Sequence, residues 1–228
     1  MNLFITGTDT DVGKTVITTA LALAGQDLGH KIGVYKPFQS GCTIENNIIQ
    51  TPDPDFITSL APEIITKSSY NLIHPSAPAL AASLENISIE KEKVLSDFKE
   101  LEKKCDYVIV EGAGGLLVPV SQTLLIRDFV KFLDLPLIIV ARPDLGTINH
   151  TLLTIEAAKN FGIKILGIII SNYPVDTEDL TIKTAPDYIK TFSGVEILGI
   201  LPKINNINRN NLLESTKNNI NLDTIFIS

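Results

Sequence analysis

The sequence predicts an α/β fold: a mostly parallel, doubly wound sheet of about seven strands with helices on both faces. Three observations carry that expectation. Short apolar runs alternate with helical patterns along the chain, as parallel crossover units require. A glycine-bearing loop separates the first apolar run from the first helical pattern. At 228 residues the chain suits one well-filled α/β domain and is small for two, so residues 1–228 are expected to form a single domain.

Asn2–Thr6 reads as a buried strand and Thr15–Ala24 as a helix that begins at Gly13-Lys14-Thr15. Between them runs Gly7-Thr8-Asp9-Thr10-Asp11-Val12-Gly13. In such a strand–loop–helix unit, backbone N–H groups and the positive end of the helix surround a polyphosphate. Lys14 would reach the terminal phosphates and the Thr15 hydroxyl would hold magnesium, which points to a P-loop NTPase fold. The usual spacing puts the first glycine where Thr8 stands, so Gly7 comes one position early. A plain strand-to-helix turn with a surface lysine is the competing account.

Ile32–Lys36 reads as the second strand, after the turn Gly29-His30-Lys31 and before Pro37. Lys36 then lies at the carboxyl end of its strand, where ligands gather in open parallel sheets. Phe38-Gln39-Ser40-Gly41 would face the same crevice as Lys14, although a solvated surface lysine is the ordinary reading of position 36. Cys42–Pro54 is polar and unpatterned and reads as a long loop. Asp53 and Asp55 precede the apolar Phe56–Leu60, where either would cap a helix.

Leu72–Ala79, with His74-Pro75-Ser76-Ala77-Pro78, reads as an extended loop opening into a short helix. Glu90–Lys104 is a charged amphipathic helix with Val94, Leu95, Phe98 and Leu101 on one face. Tyr107–Val110 fits a strand buried on both faces. Glu111-Gly112-Ala113-Gly114-Gly115 follows it directly, a carboxylate placed for magnesium and glycines that admit a ligand close to the backbone. Helices over Leu125–Leu133, Thr147–Asn160 and Thr177–Thr191 then alternate with strands over Leu137–Ala141, Ile165–Ile170 and Val195–Ile200. From Asn205 onward the chain is Asn-rich and weakly patterned, and no element is assigned.

Composition bounds the function. Hydrophobic residues make up 44% and charged residues 20%, as in an ordinary soluble globular protein. The net charge of −7 provides no basic footprint for nucleic acid or an anionic membrane. A site for a nucleoside triphosphate must therefore be made positive locally, by Lys14, Lys36 and helix N-termini. Cys42 and Cys105 form no metal or redox spacing, and His30, His74 and His150 do not cluster. With a strand starting almost at residue 1 and no long apolar run, the expected location is cytoplasmic.

Four motifs in order, Thr6–Thr15, Tyr35-Lys36-Pro37 with Ser40-Gly41, Val110–Gly115, and Leu145-Gly146-Thr147-Ile148-Asn149-His150, closely resemble the dethiobiotin synthetases. The resemblance spans residues 2–202, and the extra loop residue belongs to that family's pattern. It implies an ATP- and magnesium-dependent closure of a cyclic urea from 7,8-diaminononanoate and carbon dioxide, the penultimate step of biotin synthesis. It makes Lys14 and Lys36 catalytic, Lys36 bridging a carbamate and the γ-phosphate. It places Asp11, Val12, Gly13, Lys14, Thr15 and Val16 around the nucleotide, together with Glu111, Gly112, Ala113 and Gly114.

Ser40 would contact the diamine, and Thr15 and Glu111 would bind magnesium with one loop aspartate. Asp55 is preferred for that place because it directly precedes the apolar helical segment, whereas a gap-free count from Lys36 favours Asp53. Gly146, Thr147 and Asn149 would hold the substrate carboxylate from the partner subunit, which implies a homodimer with composite sites. Asn172 would recognise the base, with an Asx turn as the alternative, and Pro202-Lys203-Ile204 would contact the nucleotide. The acidic residue expected after that segment is absent from Asn205-Asn206-Ile207-Asn208, so GTP or another triphosphate is expected to be accepted beside ATP. The rival is a switch ATPase of the partitioning or septum-positioning type. Such proteins carry a second lysine early in the loop, where this chain has Thr8, Asp9 and Thr10.

Overall fold

The computed structural model describes residues 2–226. The strands are β1 (Leu3–Gly7), β2 (Ile32–Gln39), β3 (Thr43–Glu45), β4 (Ile48–Gln50), β5 (Ile65–Asn71), β6 (Tyr107–Gly115), β7 (Leu137–Ala141), β8 (Ile165–Tyr173) and β9 (Ile197–Pro202). The helices are α1 (Lys14–Asp27), α2 (Pro52–Leu60), α3 (Pro78–Leu84), α4 (Lys91–Glu102), α5 (Ile126–Leu133), α6 (Thr147–Asn160), α7 (Leu180–Ser193), α8 (Arg209–Asn219) and α9 (Leu222–Ile225). Seven strands form one sheet in the order β5-β2-β6-β1-β7-β8-β9. Every pairing between neighbours in it is parallel, as expected.

The central strands are buried on both faces, and their side chains alternate between two core layers. Leu3 and Ile5 join Ile17, Leu21, Ile109 and Ile138 on one face, while Phe4 joins Val108, Val110, Leu137 and Phe129 on the other. Helices cover both layers: Ile57, Leu212 and Ile225 complete the first, Phe98, Ile155 and Ile189 the second. Helix α1 is buried on nearly every side because α2 and α8 pack over it as well as the sheet. That explains its small, apolar sequence, which leaves no polar stripe for solvent. Among the described residues no helix is long and apolar enough to cross a membrane.

Three expectations are corrected. The stretch Cys42–Pro54 is not an unpatterned loop: β3 and β4 form an antiparallel hairpin through Asn46 and Asn47 at φ 51° and 62°, and α2 starts at Pro52. Paired asparagines with positive φ are the side chains a tight hairpin turn accepts most readily after glycine.

Strand β5 is the sheet edge that the sequence reading lacks. Its Ile-Thr-Lys-Ser-Ser-Tyr-Asn has no apolar alternation because the face turned to α4 carries polar side chains: Lys67 pairs with Asp97 at 3.0 Å and with Glu100 at 2.5 Å.

The segment after Asn205 folds as α8 and α9, capped by the Asn208 and Asn221 side chains. Leu212, Thr216 and Ile220 recur at helical spacing on the buried side. Phe226 closes edge-on against Tyr107 with ring centroids 5.3 Å apart. Asparagine-rich composition hid this element, since two of those asparagines serve as helix caps.

Candidate active site

Strand β1 ends at the centre of the sheet between β6 and β7, so the loop Gly7–Gly13 rises from the carboxyl edge where the connections diverge. Gly13 stands at φ 94° immediately before α1, and a Cβ there would collide with Ser171 Oγ on β8. Glycine is required on both counts. No side chain caps the start of α1, as suits a helix N-terminus whose first-turn N–H groups would meet an anion.

A cavity of about 710 Å³ lies at this edge. Thr10, Asp11, Gly13, Lys14, Thr15 and Val16 form one wall and Lys36, Phe38, Gln39 and Ser40 from β2 another. Asp53 enters from α2, Glu111, Ala113 and Gly114 from β6, and the turn Pro75-Ser76-Ala77-Pro78 closes the rim with Val118. Sequence reasoning gave no role to that turn or to Val118. Two prolines flanking a dipeptide before a helix were the available signal, since they make a rigid surface.

Lys36 is 5% exposed, and all three of its ammonium N–H donors have partners. They reach Asp53 Oδ2 at 2.5 Å, Glu111 Oε1 at 2.7 Å and the Gly112 carbonyl at 3.2 Å. Thr15 Oγ1 donates to the same Glu111 oxygen at 2.9 Å. Burial pulls the Lys36 pKa down, but the charges of Glu111 and Asp53 and their hydrogen bonds outweigh it and hold it above the ordinary lysine value. Lys14 lacks such partners; its ammonium donates to the Asp9 carbonyl at 3.0 Å. Burial first, and the Lys36 charge second, lower its pKa to about 8.

The two loop aspartates, of which Asp55 is the one preferred from sequence, are placed differently. Asp53 lines the cavity, whereas the Asp55 carboxylate turns back on its own helix and accepts from Thr51 N at 2.6 Å and Thr51 Oγ1 at 3.0 Å. A residue directly ahead of an apolar helix segment is placed to close the helix start, which is what Asp55 does. Val12 lies beneath the loop in the core, 3% exposed, and does not line the cavity. Gly112 lies behind Glu111 against Phe4 and contributes its carbonyl to Lys36.

The remaining predicted residues lie elsewhere on the same edge. Asn172, exposed and at φ 57°, is the penultimate residue of β8, and the Lys203 N–H donates to the Tyr173 carbonyl at 2.8 Å, which seats Pro202-Lys203-Ile204 beside it. Gly146, Thr147 and Asn149 start α6 and do not line the cavity of their own chain.

The residues fit magnesium. Glu111 Oε2 is buried with no hydrogen-bond partner among the described residues, beside a hydroxyl and a second carboxylate. No group of three or more His, Cys, Asp or Glu gathers among the described residues. Magnesium bound through one or two carboxylates and substrate phosphates needs no larger cage.

A parallel sheet with a Gly-Lys-Thr loop between its central strand and first helix, and a carboxylate on the neighbouring strand, defines a P-loop nucleotide-binding protein. A family model described as an AAA domain matches residues 1–211. The chain belongs to the dethiobiotin synthetase family: it is 43% identical over 229 residues to the ATP-dependent dethiobiotin synthetase BioD of Bacillus subtilis strain 168, covering 97% of this chain and 96% of that one. The enzyme of the same description from Thermodesulfovibrio yellowstonii is 37% identical over 234 residues, covering 97% of each chain.

Among solved structures, the MinC:MinD cell division complex of Aquifex aeolicus matches at a TM-score of 0.59 and 17% identity, over 95% of this chain and 93% of that one. A ParA family ATPase from Chlorobium tepidum matches at 0.56 and 18%, over 98% and 92%. These two likenesses establish the shared fold and nothing about activity.

Proposed function

We propose that this chain is a cyclo-ligase that converts 7,8-diaminononanoate and carbon dioxide to dethiobiotin, with ATP cleaved to ADP and phosphate. The observation that carries the reading is the buried Lys36 ammonium, held by Glu111 and Asp53 on the cavity wall that also bears Lys14 and Thr15. One amine takes up carbon dioxide and loses a proton to become a carbamate. A carbamate oxygen attacks the γ-phosphorus and ADP departs; the second amine then attacks the carbamoyl carbon, phosphate leaves and a proton is lost. Both the carbamate and the triphosphate are anions, so the protein's task is to neutralise and align them.

Lys36 is placed to bridge the carbamate and the γ-phosphate, and Lys14 to follow the charge onto the phosphates. Thr15, Glu111 and Asp53 would hold magnesium, which supplies charge neutralisation at the phosphate oxygens. Residues 11–16 and 112–114 would surround the nucleotide, with Asn172 and residues 202–204 at its base. Ser40, whose buried Oγ has no hydrogen-bond partner among the described residues, would meet the diamine. The one-domain arrangement completes this reading.

A homodimer is part of the proposal. Gly146, Thr147 and Asn149 lie off the chain's own cavity, and Leu145 beside them is 82% exposed with Leu153 at 56% on the same helix. Thr147 is itself buried, and the parts of this helix start open to a second copy are Gly146, Asn149 and the two leucines, which support donation of that helix to a second copy's site.

The test is to incubate the purified protein with the diamine, bicarbonate, ATP and magnesium and to follow dethiobiotin by mass spectrometry and phosphate release. Dethiobiotin and phosphate appearing in equal amounts is the expected result. ATP hydrolysis that proceeds equally fast without the diamine would overturn the proposal.

A further inference from the structure

Gln39, the last residue of β2, lies on the cavity wall between Lys36 and Ser40. The residue is 4% exposed, and its amide is pinned by one bond, Nε2 donating to the Ser40 carbonyl at 2.8 Å. That bond sets the orientation of the amide and leaves the oxygen over. Gln39 Oε1 is buried with no hydrogen-bond partner among the described residues. The backbone is already committed to the sheet edge, its carbonyl accepting from Leu72 N at 2.7 Å. The next residue repeats the pattern, since Ser40 Oγ is also buried and unpartnered.

An unsatisfied buried acceptor is costly to the free protein. On a cavity wall that cost is recovered when a ligand supplies the missing donor, and the need for that donor is what makes such a site selective. The chemistry of the cavity says which donor. The two lysines there attract anions, and the oxygens of a triphosphate or a carbamate carboxylate are acceptors only. They have nothing to offer an amide oxygen. An amine has N–H groups and does.

We infer that Gln39 is a substrate-positioning residue whose Oε1 accepts an N–H from the amine of the diamine that is not carboxylated, and so holds that amine beside the carbamate for ring closure. The inference rests on the cyclo-ligase reading. It divides the wall chemically, with Lys36 facing the anionic half of the substrate and Gln39 with Ser40 the amine half. Aligning the second amine would raise its effective concentration at the carbamoyl carbon.

Two variants test it: Gln39→Met, of equal length without the amide oxygen, and Gln39→Glu, which keeps an acceptor. Steady-state kinetics measure KM for the diamine and for ATP separately. Calorimetry measures binding of the diamine and of 7-aminononanoate and 8-aminononanoate, each lacking one amine. In Gln39→Met the diamine KM should rise about tenfold or more, the worth of one such hydrogen bond, with the ATP KM within about twofold of wild type.

The melting temperature should change little, because loss of the Nε2–Ser40 bond is offset by removal of an unsatisfied buried oxygen. One monoamine should bind wild type more weakly than the diamine, and Gln39→Met should lose that difference while Gln39→Glu retains it. An unchanged diamine KM, or both KM values rising together with a lower melting temperature, would show a purely structural role and overturn the inference. If wild-type protein forms no dethiobiotin, it is the ligase reading that fails; wild-type turnover with an insensitive Gln39→Met removes only the role of Gln39.

Discussion

Lys36 Nζ and Glu111 Oε1 stand 2.7 Å apart on neighbouring strands β2 and β6, both side chains almost wholly buried. Removing one member of such a pair leaves the other as an uncompensated buried charge. Lys36→Ala should therefore lose kcat by at least about a hundredfold, the usual effect of removing one group that stabilises transition-state charge. It should also lower the melting temperature. Lys36→Met together with Glu111→Gln should regain stability but not activity, which thermal unfolding and turnover measured side by side would reveal.

Asp53 and Asp55 separate by function. Asp53→Asn should raise the magnesium concentration needed for half-maximal turnover, because a carboxylate on the cavity wall is lost. Asp55→Asn should leave that concentration unchanged and cost about 1 kcal/mol in denaturant unfolding, the worth of a helix-start contact. The reverse pattern would restore the sequence-based preference for Asp55.

Nucleotide binding should depend on pH through Lys14. In the free protein its pKa is lowered to about 8, chiefly by burial and next by the Lys36 charge. Bound phosphates favour the ammonium and raise that pKa, so below pH 8 affinity is flat. Above it, binding must take up a proton, and affinity should fall by up to about tenfold per pH unit. Calorimetry at pH 9 in buffers of different ionisation enthalpy should register the proton uptake, and Lys14→Met should abolish it. For folding the sign is opposite: between about pH 8 and the ordinary lysine value the unfolded chain binds the proton that the folded chain has lost, so this group's contribution to stability rises with pH.

Phe226 ties the C-terminal helices to the core, 4% exposed and packed on Tyr107 and His30. Phe226→Ala should cost about 3 kcal/mol in equilibrium unfolding. Truncation before Asn205 should prevent folding, since it bares the α1 surface that α8 covers.

GTP should support turnover with kcat/KM within about tenfold of ATP, a difference of about 1.4 kcal/mol. No acidic side chain stands in Asn205–Asn208, and Asn208 is used as the cap of α8. A strong preference for ATP would place base recognition on Asn172 instead.

The sequence alone determined the local chemistry of this protein. Apolar runs bounded by Gly and Pro make strands, the Gly13-Lys14-Thr15 turn makes a phosphate loop, and Glu111 follows its strand directly; each is a relation among chain neighbours. Tertiary structure decided what depends on distance across the fold. It set Asp53 rather than Asp55 beside Lys36, because the direction of α2 is fixed by its packing and not by its residue types. It made an edge strand of Ile65–Asn71, whose Lys67 and Ser69 find carboxylate partners on α4 some thirty residues on, the Lys67–Glu100 pair being 33 positions apart. It turned an asparagine-rich end into the cover of α1, since the apolar partner of α8 lies at the opposite end of the chain. The phosphate loop was legible because it acts through its own backbone. The wall facing it was legible only in part, because Lys36, Asp53 and Glu111 become one site through the register of β2 against β6 and the placement of α2.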